Sequence, residues 1–351
     1  MLDSLLAELR AAGHLHGDVP PPAEAAEANV SYWILALQVI GGWLAALFML
    51  LFLGMGAAPL IKGATGWIIV GLTMTALTGL LMMRVEGTVL RQFLLVASLA
   101  GHGALIVGAG DIGKGGSGST IFTLALLMLA VYEIALLLWV AWMPHRLIAA
   151  LVAAGALVIA GGVALSAEVA RCWAGVYWLA ACLFWLFEAR CQAQRHGEAC
   201  HALACALTLL CFAYALTGFL SHDLFALDVM SKKLRFDAAL VCAVNMGLVL
   251  WLARPLLSNV RQLCGVFLLL AALGITWQAP AVGMGALALV FGFARSHRWL
   301  MWLGGALLLF GVGRFYYDLR LTLLDKSGLM VLGGAALLAV RALLVGHEEL
   351  S

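Results

Sequence analysis

From Tyr32 onward the chain is a nearly unbroken series of apolar stretches joined by short polar links. A helix needs about 20 mostly apolar residues to cross roughly 30 Å of hydrocarbon. Twelve stretches approach that requirement: 32–55, 66–83, 92–109, 120–142, 147–165, 169–188, 201–220, 237–253, 262–277, 280–294, 299–313 and 328–345. They are continuous and rich in Leu, Ala and Gly, whereas a lipid-facing barrel strand would alternate apolar and polar residues. The expected fold is therefore all-α, a polytopic transmembrane helix bundle of about 12 spans. Charged residues make up 11% of the chain and hydrophobic ones 64%, against about 25% charged in soluble domains. A soluble enzyme, a nucleic-acid binder and a disordered scaffold are excluded, and membrane lipids are the expected surroundings. Trp33, Trp67, Trp142, Trp277 and Trp299 lie near span ends, where aromatic belts form.

Basic residues in the links set the orientation. With the N-terminus inside, eleven Lys and Arg fall on the inner side and nine on the outer. Six of those nine lie in only two links, 221–236 and 314–327, and the rest divide eleven to three. The chain reads as N-in and C-in, in a cytoplasmic (inner) membrane. The two links that break the pattern stand out as functional surfaces.

Residues 1–31 read as a cytoplasmic amphipathic helix and Pro-rich linker, with Leu2, Leu5, Leu6 and Leu9 on one face and Pro20–Pro22 as the break. An acidic start without a short apolar core does not fit a signal peptide. Residues 32–345 form the bundle and 346–351 a short cytoplasmic tail. Leu303–Leu308 resembles Leu332–Leu337, but the spacing fits no larger period, so no repeat is assigned.

Two motifs mimic chemistry. Gly108 to Gly115 matches most of a phosphate-binding loop, yet such a loop joins a strand to a helix. Here it follows a membrane span, and the expected structure is a flexible turn. Cys191, His196, Cys200, His201 and Cys205 form the second mimic. Thiolate and imidazole suit zinc or copper, but no CxxC pair occurs and Cys205 continues into an apolar helix. Free thiols are expected, and no metal ligand or cofactor is assigned. His14 and His16 are read as solvated.

Charge inside the bilayer costs at least about 2.5–3.5 kcal/mol, so each such residue needs a partner or a purpose. Glu133 falls near the middle of the fourth span and His102 near the middle of the third, at depths that allow pairing. Asn245 lies midway along the eighth span. Gln38, Thr73, Thr75 and Thr78 are read as contacts between helices, and pairs such as Gly41-Gly42, Gly304-Gly305 and Gly333-Gly334 as sites of close approach.

No helix breaker interrupts Gly313 to Gly328, and a helix there would put Arg314, Asp318, Thr322 and Lys326 on one stripe. The run Phe315-Tyr316-Tyr317-Asp318-Leu319, followed by Leu323-Leu324-Asp325-Lys326-Ser327 and a glycine-containing last helix, resembles the C-terminal signature of the DUF4401 family of bacterial membrane proteins. The resemblance names no reaction. It implies company: a DUF2157 protein and a small GDYXXLXY-type envelope protein, hence a membrane complex.

The rim candidates for partner binding are Arg314, Tyr316, Tyr317, Asp318, Arg320, Asp325 and Lys326, together with Lys232, Lys233 and Arg235. These make an accessory subunit of an envelope complex the leading expectation, docking through links 221–236 and 314–327. The alternative is a small-solute or proton-coupled transporter built on Glu133 and His102. A transferase acting on lipid or glycan ranks third, because nothing in the spacing of the rim carboxylates demands catalysis.

Overall fold

A computed structural model describes residues 32–57, 61, 63–85, 87–114, 119–165, 167–193, 197–224, 236–254, 260–275, 279–318 and 323–344. The expected N-terminal helix and linker, the C-terminal tail, Trp277 and His196 lie outside these residues. The described residues form helices and no strands: α1 (Tyr32–Ala57), α2 (Gly63–Met82), α3 (Thr88–Lys114), α4 (Ser119–Trp139), α5 (Met143–Ala164), α6 (Ala167–Leu186), the short α7 (Glu188–Gln192), α8 (Gly197–Leu224), α9 (Phe236–Leu252), α10 (Val260–Ile275), α11 (Pro280–Ala294), α12 (Arg298–Asp318) and α13 (Leu323–Leu344).

By length and composition α2, α3, α4, α5 and α8 can cross a membrane, and shorter apolar segments occur in α1, α6, α9, α10, α11 and α12. The outside of the bundle is apolar: Trp302, Leu309 and Phe293 are about four-fifths exposed, at 81%, 75% and 78%. Lipid is the solvent that such a surface fits.

Neighbours in sequence pack as hairpins, most closely α2 on α3, α4 on α5 and α11 on α12. Glycine permits two of these approaches. A methyl on Gly101 would lie 3.1 Å from the Thr75 nitrogen, and one on Gly304 would lie 2.7 Å from the Leu289 nitrogen. Small residues at such crossings let backbones meet where lipid supplies no hydrophobic drive. The contact of α5 with α8 joins the first five helices to a second group of α6, α8, α9, α11 and α12. Trp178, Trp185, Met284, Phe291 and Leu300 fill the interior of that second group.

Three expectations need correction. Gly108–Lys114 is no turn: α3 continues through Lys114, and Gly108 packs so tightly on α2 that a methyl there would meet the Ala64 carbonyl at 3.0 Å. The packing overrides the turn-forming tendency of Gly and Asp. The link 221–236 begins as helix, since α8 runs to Leu224. Gly41, Gly333 and Gly334 face open space, so only Gly42 and Gly304 of the named pairs meet a neighbouring backbone closely.

Candidate functional site

The site begins with a carboxyl group wholly enclosed by protein. Glu133 on α4 is 0% exposed, and His102 on the adjoining α3 is 2% exposed. Glu133 Oε2 lies 3.0 Å from His102 Nε2. The helix rise of about 1.5 Å per residue puts Glu133 about 6 Å past the middle of α4 and about 9 Å from its Trp139 end.

Hydrogen bonding fixes the protonation of the pair. His102 Nδ1 is 2.7 Å from the Ser98 carbonyl oxygen. A carbonyl can only accept, so Nδ1 carries a hydrogen. A neutral His102 then presents a bare Nε2, and Glu133 must be the donor; a cationic His102 instead donates to an ionised Glu133. Both states are net neutral and hold the same number of protons. They differ by the place of one proton on the Nε2–Oε2 axis.

The surroundings leave polar atoms unanswered. Glu133 Oε1 is buried without a hydrogen-bond partner, and so are both ring nitrogens of His145. His145 stands on the first turn of α5, 0% exposed, with its ring edge-on to His102 at 5.8 Å between centroids. A buried unsatisfied polar atom costs about 1–3 kcal/mol, and three such atoms beside a proton-bearing pair are a costly arrangement for mere packing. Arg146, next in sequence, holds Glu198 of α8 at 2.6 Å. A surface cleft lined by Met82, Met83, Arg91, Val140, Ala141 and Trp142 lies at the same end of α4. Nearby, the Thr75 hydroxyl meets the Tyr132 hydroxyl at 2.7 Å.

Asn245 belongs elsewhere. It is fully buried on α9, where its Oδ1 accepts from Trp178 Nε1 at 2.7 Å and its Nδ2 has no partner. It serves the packing of the second group of helices rather than the Glu133 pair. Thr73, Thr75 and Thr78 return their hydroxyls to carbonyls of their own helix. Cys182, Cys205, Cys211 and Cys242 are buried free thiols, and no disulfide occurs among the described residues.

A second polar cluster, missed by sequence reasoning, sits where α6 ends. Glu188 of α7 is 7% exposed. His201 Nδ1 approaches its Oε1 at 3.0 Å, and His297 Nε2 its Oε2 at 2.8 Å. One ligand atom from each of the three residues falls within 4.8 Å of the other two. The sequence offered only His201, as part of the Cys–His mimic. Glu188 closed the apolar span 169–188 and His297 fell in the Arg-containing link between the spans 280–294 and 299–313, and neither was singled out.

The rim candidates stand at helix ends. Arg314, Tyr316, Tyr317 and Asp318 form the last turns of α12, and Asp325 and Lys326 the first turn of α13. Tyr316 is half-buried and engaged with a neighbour. Arg320, Lys232, Lys233, Arg235 and Thr322 lie outside the described residues, and the stripe drawn from Arg314 to Lys326 crosses that gap.

Residues 31–345 match the family model for a domain of unknown function, DUF4401. The chain belongs to the DUF4401 family. The match covers every described helix of this DUF4401 chain, including both the Glu133 pair and the Glu188 cluster. No curated protein and no solved structure matches it.

Proposed function

We propose that this DUF4401 chain is a proton-handling membrane protein of the proton-coupled transporter kind, in which Glu133 takes up and releases a proton and His102 relays it. One observation carries the reading: an enclosed carboxyl group shares a proton axis of 3.0 Å with an imidazole, while its other oxygen and the adjacent His145 ring remain unsatisfied. Ionisable residues inside a membrane mark proton relays and ion pathways. The pair can shift its proton without creating net charge, so the bilayer imposes little cost on that step. His145, two residues inside the end of α5, offers the next stop toward the aqueous phase.

Proteoliposomes enclosing a pH-sensitive dye test this. Under an imposed potential, and with panels of small solutes added, the wild-type chain should acidify or alkalinise the lumen at least tenfold faster than empty liposomes. Glu133→Gln keeps the size of the side chain and removes its proton exchange, and should return the rate to the empty-liposome value. A Glu133→Gln chain that works as well as wild type overturns the reading.

A second reading, an accessory subunit of an envelope complex with a DUF2157 protein or a small GDYXXLXY-type protein as partner, draws support from α13. That helix packs mainly on α10, and Gly333 and Gly334 on it face open space. Small residues on an uncovered membrane helix suit a partner helix.

A further inference from the structure

We infer that Glu188, His201 and His297 form a binding site for a divalent transition-metal ion of the Zn2+ type. The three donors come from α7, from the second turn of α8 and from the residue preceding α12, so the fold assembles them rather than one local turn. Two imidazoles and one carboxylate are a recurrent Zn2+ ligand set, leaving a further position open. Each imidazole nitrogen stands 2.8–3.0 Å from a carboxylate oxygen of Glu188, and the three donors lie within 4.8 Å of one another, a spacing that ligands about 2.0–2.1 Å from a common ion can adopt after slight spreading.

Several features favour an ion over a self-contained hydrogen-bond cluster. Among the described residues, the ion-pair partners of Glu188 are the two histidines alone. Arg190 stacks over Phe187, and Arg295 donates to the Leu186 carbonyl, so neither nearby guanidinium takes the cationic place beside Glu188. The side chain of Glu188 is 8% exposed while those of His201 and His297 are 24% and 25% exposed, which leaves a route in for a hydrated ion.

The site is also held in shape. Gln192 Nε2 donates to Glu188 Oε1 at 2.9 Å, an outer contact of the kind that orients a ligating carboxylate. Trp185 stands edge-on to both imidazoles at 5.4 and 5.3 Å, and Trp299 packs on Trp185. Ser296 has φ 58, a left-handed conformation that a side chain adopts at a cost. That turn carries the His297 nitrogen to the Gly292 carbonyl and faces its ring to Glu188. In the absence of an ion the same three side chains close on one another through N–H donors from both rings. Binding moves each of those hydrogens to the other nitrogen of its ring, so both imidazoles stay neutral and turn a bare nitrogen to the ion.

The test is Zn2+ titration of the detergent-purified, chelator-stripped full chain against a chromophoric competitor, with near-UV circular dichroism confirming that each variant is folded. Wild type should bind one equivalent tightly and rise in thermal midpoint when Zn2+ is added. His297→Gln and Glu188→Gln should bind at least 100-fold more weakly. Gln192→Ala, which leaves the three donors in place, should lose about 10–100-fold, as outer contacts to metal ligands do. Wild type without Zn2+ binding, or equal binding by wild type and His297→Gln, overturns the site.

Discussion

Consider replacing His102 and Glu133 by leucine, singly and together. His102→Leu strips Glu133 Oε2 of its partner, and Oε1 already has none, so both oxygens would be buried and unanswered. Only Oε2 is newly unanswered, so the expected loss is about 1–3 kcal/mol. Glu133→Leu leaves one imidazole nitrogen unanswered, a loss of about 1–3 kcal/mol. The double variant removes both partners and replaces them with apolar groups of similar volume, which is often neutral or stabilising. Its cost should be below about 1 kcal/mol, giving a coupling of roughly 1–6 kcal/mol against additivity. Unfolding in mixed micelles titrated with SDS, followed by near-UV circular dichroism, reads all four proteins. A double variant that loses the sum of the two singles refutes the pairing and the proton axis argued from it.

The two similar glycine runs should behave oppositely. Gly304→Ala drives a methyl to 2.7 Å from the Leu289 nitrogen and should cost about 1–3 kcal/mol, whereas Gly333→Ala meets nothing within 4 Å and should be neutral or gain up to about 1 kcal/mol of helix propensity; equal losses in thermal unfolding would contradict the packing described. For the subunit reading, purification from the native host in mild detergent should retain an envelope partner identifiable by mass spectrometry, and Gly333→Ile or Lys326→Ala should release it. Solitary elution of the wild-type chain counts against that reading.

The helices were legible because lipid makes a helix declare itself in composition: an apolar run can hide its backbone polar groups only by coiling. Glu133 and His102 were legible for the same reason, since one charge in such a run is conspicuous and antiparallel neighbours can bring similar depths together. His145 was hidden by its place at a helix start, where a histidine ordinarily meets water. Glu188 and His297 were hidden by distance: 109 residues separate them, with Glu188 at the end of one apolar span and His297 in an arginine-containing link before another. Gly108–Lys114 was misread because its glycines signal a turn locally, while Gly108 serves to admit α2 at close range.

The hairpin pairing of α2 with α3, α4 with α5 and α11 with α12 bears on how the chain is made. At a synthesis rate of about 5–20 residues per second, each hairpin can close within seconds of leaving the ribosome, without waiting for later segments. Glu188 reaches the membrane when α6 is complete, yet His297 follows 109 residues behind it, a delay of roughly 5–20 s at that rate. During this interval the carboxylate has Gln192 and His201 as partners but not His297, and the bundle stays open on the side that α11 and α12 will fill. Arrival of the α11–α12 hairpin seals that side and completes the Glu188 cluster in one event, so the cluster is a marker for the docking of that hairpin.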